Sequence, residues 1–366
     1  MDTLFQGAYA GKRVLITGHT GFKGSWLALW LSKMGAEVVG YALQPPTTPN
    51  HFDALKLTLT SIIADILDAD ALTKTIEKHQ PDIVFHLAAQ PIVRDSYLRP
   101  IETLATNIMG TANLLESCRI AGSVGAIVNI TSDKCYQNVE RLEGYTENDP
   151  MGGDDPYSAS KGAAELVSQA YRHSFFNPKD YGVKHHTLLA NVRAGNVIGG
   201  GDWAKNRLIP DIMRATSAGE TVIIRNPEAV RPWQHVLEPL SGYLQLGSKL
   251  LEQKRVFAAN WNFGPPDAAA LTVENVITFT KRYWEDIDFL IDKSTAYVHE
   301  AKLLLLDSSK AKKDLHWQSV WDNEATFAKT VGWYKAYYQQ QHVRSQEDLD
   351  DYIADARAAG LAWTKP

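Results

Sequence analysis

A strand-forming run that breaks into three glycines near the N-terminus constrains the fold of this chain most. The apolar and β-branched residues Val14–Thr17 predict a strand, and Gly18, Gly21 and Gly24 follow it before an apolar helix begins. Glycines let the backbone approach an anion closely, and a helix N-terminus presents free N–H groups and the positive end of its dipole. This turn therefore predicts a diphosphate site in a nucleotide-binding fold.

Short apolar segments alternate with amphipathic ones through the first half of the chain, which predicts a doubly wound parallel sheet, the Rossmann fold, in an α/β protein. The predicted strands are Val14–Thr17, Val38–Tyr41, Ile62–Ala64, Ile83–Leu87, Ala126–Thr131 and Leu188–Val192. The predicted helices cover 22–34, 68–79, 99–121, 155–176 and 323–341, with a surface helix in 344–366.

Glycines and prolines break the chain into short pieces after residue 193, which predicts a second, smaller lobe of mixed α/β structure. We assign 1–193, together with about 233–262, to the nucleotide-binding domain. Residues 194–232 and 263–366 form the predicted substrate-binding lobe. A lobe in this position would cover the carboxyl ends of the strands, where open α/β sheets bind their ligands.

The composition and charge of the chain indicate which partners, metals and cell compartment to expect. The chain has 366 residues and a net charge of −5, which gives no reason to expect a nucleic-acid partner or an anionic membrane surface. Cys118 and Cys135 have no metal-binding or redox spacing, so we expect two reduced thiols and no metal. The N-terminal residues lack a signal-peptide pattern and no apolar run is long enough to cross a membrane, so we expect a cytoplasmic protein.

A second motif lies far downstream. Asp155 can cap a helix and Pro156 suits its first position, so Tyr157 and Lys161 are expected one turn apart on the same helix face. A nearby ammonium group lowers the pKa of a phenol, which would make Tyr157 a usable base near neutral pH. A hydroxyl at the end of the fifth strand, Ser132 or Thr131, would support that chemistry.

The combined motifs resemble those of the extended short-chain dehydrogenase/reductase family, and the resemblance covers nearly the whole chain. The shared features are the glycine turn, Leu87-Ala88-Ala89, Thr106-Asn107, the strand-five hydroxyl and Tyr-x-x-x-Lys. Members of this family act on nucleotide sugars as epimerases or dehydratases. The resemblance therefore implies an NAD-dependent enzyme.

Cofactor binding is expected at the glycine turn and at the ends of neighbouring strands. Asp65 could accept a hydrogen bond from the adenine amino group or could instead cap helix 68–79. The second strand ends without the carboxylate that usually holds the adenosine ribose, and without an arginine for a 2′-phosphate, so we expect NAD, held less tightly than usual. The predicted cofactor-binding residues are Gly18, His19, Thr20, Gly21, Phe22, Lys23, Gly24, Asp65, Ile66, Leu87, Ala88, Ala89, Tyr157 and Lys161.

The residues after the fifth strand narrow the resemblance to the 4,6-dehydratases of the family. Ser132, Asp133 and Lys134 stand where those enzymes carry Thr-Asp-Glu, with lysine in place of the glutamate. The resemblance implies that Tyr157 is the base at carbon 4, assisted by Lys161 and Ser132, and that Asp133 is the acid at carbon 6. Lys134 would either remove the carbon 5 proton as a neutral amine or stay charged and stabilise the enolate.

Substrate contacts are implied for three further residues. Arg231 lies in a segment that resembles the family's Arg-x-Trp, Asn196 matches a family asparagine, and Arg207 is a further diphosphate candidate. The resemblance implies a CDP-hexose substrate in deoxysugar and O-antigen synthesis. It also implies a homodimer or dimer of dimers built through helices 99–121 and 155–176. The alternatives are a dTDP- or GDP-sugar dehydratase, a UDP-sugar 4-epimerase and, from a different class, a non-catalytic nucleotide-sensing protein.

Overall fold

A parallel sheet forms the centre of the computed structural model, which describes residues 1–224, 227–265, 270–292 and 303–365. The described strands are β1 Arg13–Thr17, β2 Glu37–Ala42, β3 Thr60–Ile63, β4 Ile83–His86, β5 Ala126–Ile130, β6 Leu188–Ala194, β7 Asn196–Ile198, β8 Val222–Ile224, β9 Val230–His235, β10 Asn260–Phe263, β11 Ala270–Thr272 and β12 Phe289–Ile291. Seven of them form the central sheet in the order β10-β6-β5-β4-β1-β2-β3. The strand order reverses between β1 and β4, which is where open α/β sheets form their ligand crevice.

Helices cover both faces of this sheet and confirm the predicted doubly wound fold. They are α1 Phe22–Lys33, α2 His51–Leu55, α3 Ala69–His79, α4 Val93–Leu98, α5 Pro100–Leu104, α6 Gly110–Ala121, α7 Pro156–Ser174, α8 Leu208–Ala218, α9 Leu237–Leu251, α10 Val273–Tyr283, α11 Asn323–Gln340 and α12 Ser345–Ala358. The strands of the central sheet other than β3 are buried almost throughout, as their continuous apolar sequences require, whereas β3 at the sheet edge is largely exposed.

The region predicted as one helix over 99–121 is divided. A π-helical turn, Ala105–Met109, joins α5 to α6, and the short helix α4 precedes α5. The side chain of Asn107 lies in this turn, donating hydrogen bonds to the Gln90 carbonyl and the Ser160 hydroxyl. The turn therefore ties the end of β4 to helix α7.

Outside the central sheet, two small sheets hold the later strands. One has the order β11-β9-β7, and the other pairs β12 with β8. Strand β10 follows α9 and joins the central sheet beside β6. The division of the chain into domains at residue 193 stays a prediction.

The C-terminal segment differs from the predicted surface helix. Leu349, Tyr352, Ile353 and Ala356 of α12 are fully or almost fully buried. The Tyr352 hydroxyl donates to the Glu238 carboxylate over 2.9 Å, which ties α12 to α9. These apolar residues follow a spacing of three and four typical of a helix with one buried face. Most charged residues of the segment are exposed, although Asp348 is buried, and their number made the apolar pattern hard to recognise.

The described residues include neither a membrane-spanning helix nor a cluster of metal-ligating side chains. No helix in the described ranges is long and apolar enough to span a membrane. No group of three or more His, Cys, Asp or Glu side chains is placed to ligate a metal in that part of the chain. Cys118 and Cys135 are free thiols, and both are buried.

Candidate active site

A cleft of about 1780 Å³ lies at the carboxyl ends of the central strands. It brings together almost all of the predicted site residues from distant parts of the sequence. Those that line it are Gly18, Thr20, Gly21, Phe22, Lys23, Gly24, Asp65, Ile66, Leu87, Ala88, Ala89, Ser132, Asp133, Lys134, Tyr157, Lys161, Asn196, Arg207 and Arg231. Their convergence is a consequence of the parallel sheet, because the loops that follow all of its strands meet at one edge.

The glycine turn leaves no room for side chains where the backbone passes the end of β4. Gly18 has φ +78°, and a Cβ at this position would lie 2.7 Å from the Ala88 nitrogen. A Cβ on Gly24 would lie 2.1 Å from the Gly18 carbonyl oxygen. Both glycines are therefore required by close packing, and together they form the concave backbone surface expected for a diphosphate.

Substituting Gly18 with alanine should lower cofactor affinity at least tenfold, because the new Cβ forces the glycine turn away from Ala88. Gly35→Ala is the matched control, since Gly35 has the same φ of +78° and a Cβ there would meet no heavy atom within 4 Å. Both variants carry the backbone strain of about 1–2 kcal/mol, and only Gly18→Ala adds the clash. Titration calorimetry with NAD checks this prediction, and equal affinities for the two variants would contradict it.

His19 is the predicted cofactor residue that does not line the cleft. Its ring is fully buried beside β2, where its Nε2 atom lies 2.7 Å from the Ser61 hydroxyl. Burial lowers the pKa of His19 to about 4, so the ring is neutral near pH 7. A Cβ on Gly40 would lie 2.3 Å from this ring. The side chain therefore packs behind the glycine turn, and contact between His19 and the cofactor stays a prediction.

Asp65 does not cap the helix that follows it. That helix, α3, is capped by Asp68, whose side chain accepts from the Ala71 N–H. Asp65 lines the cleft and accepts from the Leu67 N–H over 2.9 Å. Of the two roles predicted for Asp65, the capping role was wrong, and contact with an adenine amino group stays a prediction.

The start of α7 is built as the sequence predicts. The Asp155 side chain accepts from the Ser158 N–H over 2.9 Å, and Pro156 occupies the first helical turn. Tyr157 and Lys161 follow one turn apart, and both are buried at the wall of the cleft. This geometry confirms that the two side chains share one helix face.

The expected lowering of the Tyr157 pKa by Lys161 is not found. Burial raises the pKa of Tyr157 to about 12, against the opposing effects of the Ser132 hydroxyl and the Arg207 charge. Burial also lowers the pKa of Lys161 to about 8. The prediction neglected the cost of removing both groups from water. Additional positive charge in the cleft is needed before the phenol can lose its proton near neutral pH.

Ser132, and not Thr131, is the strand-five hydroxyl that is available to the site. The Thr131 hydroxyl is occupied by the buried Glu165 carboxylate, to which it donates. The Ser132 hydroxyl donates to Asp133 over 2.9 Å and interacts with the Tyr157 phenol. It also accepts from the Lys134 N–H over 3.3 Å, which begins a short 3₁₀ turn. The Lys134 ammonium lies 4.0 Å from the Asp133 carboxylate.

A buried ion pair that was not predicted from the sequence lies behind these residues. Arg193, at the end of β6, donates two hydrogen bonds of 2.8 and 2.9 Å to Glu165 of α7. Both side chains are almost fully buried. Thr131 and Asn191 also donate to Glu165, and Arg193 donates to the Tyr136 hydroxyl. A charged residue within an otherwise apolar strand was the available indication, since a buried charge requires a partner.

The predicted substrate residues lie on the later elements of the cleft. The Asn196 Nδ2 atom is buried and has no hydrogen-bond partner among the described residues, as expected of a donor directed at a ligand. Arg207 precedes α8 and forms an ion pair of 2.8 Å with Asp202. Arg231 lies in β9 and donates to the Val230 carbonyl. Arg94 also lines the cleft, whereas His86 is buried between Thr17 and Thr111 and is structural.

Comparison with known proteins identifies the family. The family model described as GDP-mannose 4,6 dehydratase matches residues 15–330. The CDP-glucose 4,6-dehydratase of Salmonella typhimurium is 52% identical over 351 residues, which cover 94% of this chain and 97% of that protein. The dTDP-glucose 4,6-dehydratase of Xanthomonas campestris is 26% identical over 87% of this chain and 92% of that protein.

Solved structures share the fold. The dTDP-glucose 4,6-dehydratase DesIV from Streptomyces venezuelae, solved with NAD bound, has a TM-score of 0.73 at 23% identity, over 90% of this chain and 98% of its own. An epimerase from Methanothermobacter thermautotrophicus has a TM-score of 0.78 at 22% identity, over 91% of this chain and 94% of its own. The resemblance predicted from the motifs is confirmed, and the chain belongs to the GDP-mannose 4,6-dehydratase family of nucleotide-sugar enzymes.

Proposed function

We propose that this protein is an NAD-dependent CDP-glucose 4,6-dehydratase, which converts CDP-glucose to CDP-4-keto-6-deoxyglucose with loss of water. The observation that carries the proposal is the convergence of Ser132, Asp133, Lys134, Tyr157 and Lys161 in one cleft beside the glycine turn. An epimerase needs the tyrosine and lysine but has no use for an acid that expels a hydroxyl from carbon 6.

The cleft suits NAD as the cofactor. The close-packed backbone at Gly18 and Gly24 suits a diphosphate, and Asp65 lines the same cleft, where we expect it to contact the adenine. Strand β2 ends without an acidic residue, so we expect weaker NAD binding than in relatives that have one. NAD, when bound, supplies a reversible hydride acceptor and a positive charge on its oxidised ring. A titration with NADP serves as the comparison, and tighter binding of NADP would overturn the cofactor assignment.

Tyr157 and the side chains around it act in the first half of the reaction, the oxidation of carbon 4. Tyr157 takes the proton of the sugar 4-hydroxyl as carbon 4 is oxidised to a ketone. The Ser132 hydroxyl, which already interacts with the phenol, holds the same sugar oxygen. Burial opposes the phenolate, whereas the Ser132 hydroxyl and the charge of Arg207 favour it.

The second half removes water. The ketone acidifies the hydrogen on carbon 5, and Asp133 gives a proton to the departing 6-hydroxyl. Lys134 either accepts the carbon 5 proton as a neutral amine, or stays charged and stabilises the enolate while another base accepts that proton. The Lys134 side-chain nitrogen lies 4.0 Å from the Asp133 carboxyl group, so both residues can act on the same part of the sugar. Return of the hydride to carbon 6 and of a proton to carbon 5 would then complete the 4-keto-6-deoxy sugar.

Changing Lys134 to alanine should allow oxidation at carbon 4 and block the loss of water, because both proposed roles act only on the second step. Single-turnover measurements would follow the reduced cofactor by absorbance and the product by chromatography. We expect reduced cofactor to accumulate without product. An unchanged elimination rate would remove Lys134 from the mechanism.

Lys134→Arg separates the two roles. Arginine keeps the positive charge but cannot act as a base, since it does not lose its proton in proteins. Elimination that persists in this variant assigns Lys134 to charge stabilisation, and elimination that is lost as in Lys134→Ala assigns it to proton removal. Binding of NAD, measured by calorimetry, shows that both variants retain the folded site.

The nucleotide of the substrate is inferred from the relatives. The 52% identity to a CDP-glucose enzyme far exceeds the 26% identity to a dTDP-glucose enzyme, over similar shares of the chain. Incubation with CDP-, dTDP-, UDP- and GDP-hexoses in the presence of NAD tests this inference. Only CDP-glucose should give the 4-keto-6-deoxy product at a high rate, and preferred turnover of another nucleotide sugar would overturn it.

The location of the protein, its role in the cell and its oligomeric state stay predictions. We expect a cytoplasmic enzyme that supplies deoxysugars for lipopolysaccharide O-antigen. We expect it to act as a homodimer or a dimer of dimers through α5, α6 and α7, which analytical ultracentrifugation can measure.

A further inference from the structure

The loop between β7 and α8 is held in place by an aromatic helix that lies outside the central sheet. Tyr334 of α11 is fully buried, and its hydroxyl accepts from the Asp202 N–H over 3.0 Å and donates to the Asp202 carbonyl over 2.5 Å. The adjacent Trp203 donates from its indole N–H to the Tyr338 hydroxyl over 2.9 Å. This loop is therefore attached to α11 at two successive residues.

The same loop packs closely on a second aromatic side chain of α11. A Cβ on Gly200 would lie 2.0 Å from the ring of Trp333, so this position accepts no side chain. The Gly200 carbonyl also accepts from the indole N–H of Trp26 in α1 over 2.9 Å. These contacts leave the loop little freedom to move relative to the glycine turn.

The fixed loop directs one carboxylate at one substrate residue. Asp202 is almost fully buried; its Oδ2 atom lies 2.8 Å from Nη1 of Arg207, and its Oδ1 atom accepts from the Ala204 N–H over 3.0 Å. Arg207 lines the cleft and acts electrostatically on both Tyr157 and Lys23. Without a fixed partner, a long arginine side chain would occupy many rotamers and would lose that freedom on binding an anion.

We propose that Asp202 is a positioning residue for substrate binding, which holds the Arg207 guanidinium ready for the substrate diphosphate, and that α11 holds Asp202 through Tyr334. The proposal rests on the proposed function, since it takes Arg207 as a diphosphate ligand. It explains why an acidic residue lies beside a site that must bind an anion. The carboxylate restricts the arginine, while the remaining guanidinium N–H groups can still bind phosphate oxygens.

A double-mutant cycle tests this relation. Asp202→Asn keeps the acceptor for the Ala204 N–H and removes the charge, and Arg207→Gln removes the guanidinium. We expect Asp202→Asn to raise KM about tenfold with little change in kcat, and Arg207→Gln to raise KM roughly 10–100-fold, as the loss of charge-assisted hydrogen bonds predicts. The double variant should match Arg207→Gln alone, because Asp202 acts only through Arg207.

Two further variants guard against a merely structural effect. Tyr334→Phe keeps the buried ring and removes the two hydrogen bonds to Asp202, so it should raise KM in the same direction by about threefold. Asp180→Asn removes an exposed carboxylate that lies 3.1 Å from Lys184 and should leave KM unchanged. Loss of folded enzyme would lower kcat without raising KM, so the split between the two constants separates positioning from stability.

Each result of the cycle supports or overturns the role of Asp202. An unchanged KM in Asp202→Asn, or effects that multiply in the double variant, would overturn the proposal. If the wild-type enzyme prefers a hexose carried by another nucleotide, the assignment of CDP-glucose fails by that observation alone. The cycle is then run with the preferred nucleotide hexose, since the diphosphate is common to all of them.

Discussion

Replacing Tyr157 with phenylalanine is expected to lower kcat by about 10³-fold, within the range of ~10²–10⁴ that a positioned general acid–base group contributes. The change removes one oxygen from a buried side chain and leaves its ring in place. Product formation from CDP-glucose, measured by chromatography, gives kcat. The midpoint of thermal unfolding should be almost unchanged, which would demonstrate that the protein remains folded.

A second tyrosine on the same helix provides the control. Tyr171 lies in α7, partly exposed, and its hydroxyl donates to Glu116 over 3.2 Å. Tyr171→Phe removes the same atom from the same helix outside the cleft and should leave kcat unchanged. A Tyr157→Phe enzyme that keeps more than about a tenth of wild-type kcat would rule out this phenol as the base, because that loss is below the range for such groups.

Removing the charge of Glu165 should destabilise the fold by about 3–5 kcal/mol, the cost of leaving one member of a buried ion pair without its partner. Glu165→Gln keeps the shape of the side chain, so the effect comes from the uncompensated charge of Arg193 and not from a cavity. Burial alone would raise the pKa of Glu165, but the charge and hydrogen bonds of Arg193 hold it below its usual value. Equilibrium unfolding in urea, followed by tryptophan fluorescence, measures the change in the free energy of unfolding.

An exposed ion pair of similar geometry gives the comparison. Glu116 and Arg119 lie 2.6 Å apart on the surface of α6. Glu116→Gln should leave the free energy of unfolding almost unchanged, since water already solvates both groups. Replacing both members of the buried pair with apolar residues, Glu165→Leu with Arg193→Met, should recover part of the lost stability. A Glu165→Gln protein as stable as the Glu116→Gln protein would contradict the structural role of the buried pair.

The stability contributed by the ion pair of Glu165 with Arg193 should decrease at acid pH. The pKa of Glu165 is lower in the folded protein than the value of about 4.3 expected for an unfolded chain. Its contribution to stability is therefore complete above that unfolded value and is lost as the pH falls through the lower folded value. Glu165→Gln should remove this part of the acid sensitivity.

The sequence was sufficient to predict the parallel sheet and the residues that meet at its carboxyl edge. Strand periodicity, the glycine turn and the helix start at Asp155 and Pro156 depend on local chemistry, and the structure confirms each of them. The cleft follows from these elements because parallel strands direct their following loops to one side. The roles of the residues after β5 were inferred from the resemblance to a family, because no local sequence pattern defines those roles.

Features that depend on distant partners were not predictable in this way. The ion pair of Glu165 with Arg193 joins residues far apart in sequence, and neither residue has a local pattern that indicates the other. The attachment of Asp202 to Tyr334 has the same origin. The buried face of α12, in contrast, follows a local apolar spacing that was overlooked among the charged residues of the segment. The raised pKa of Tyr157 was missed because burial, unlike spacing from Lys161, is a property of the folded chain.

The fate of the hydrogen on carbon 4 tests whether the enzyme moves a hydride from carbon 4 to carbon 6 of the same sugar. CDP-glucose carrying deuterium at carbon 4 is incubated with the enzyme and NAD, and the product is examined by mass spectrometry and NMR. We expect a 4-keto-6-deoxy sugar with the deuterium in its new methyl group, since the hydride taken from carbon 4 returns to carbon 6. Deuterium found at carbon 4 of an epimerised sugar, or lost to the solvent, would contradict it.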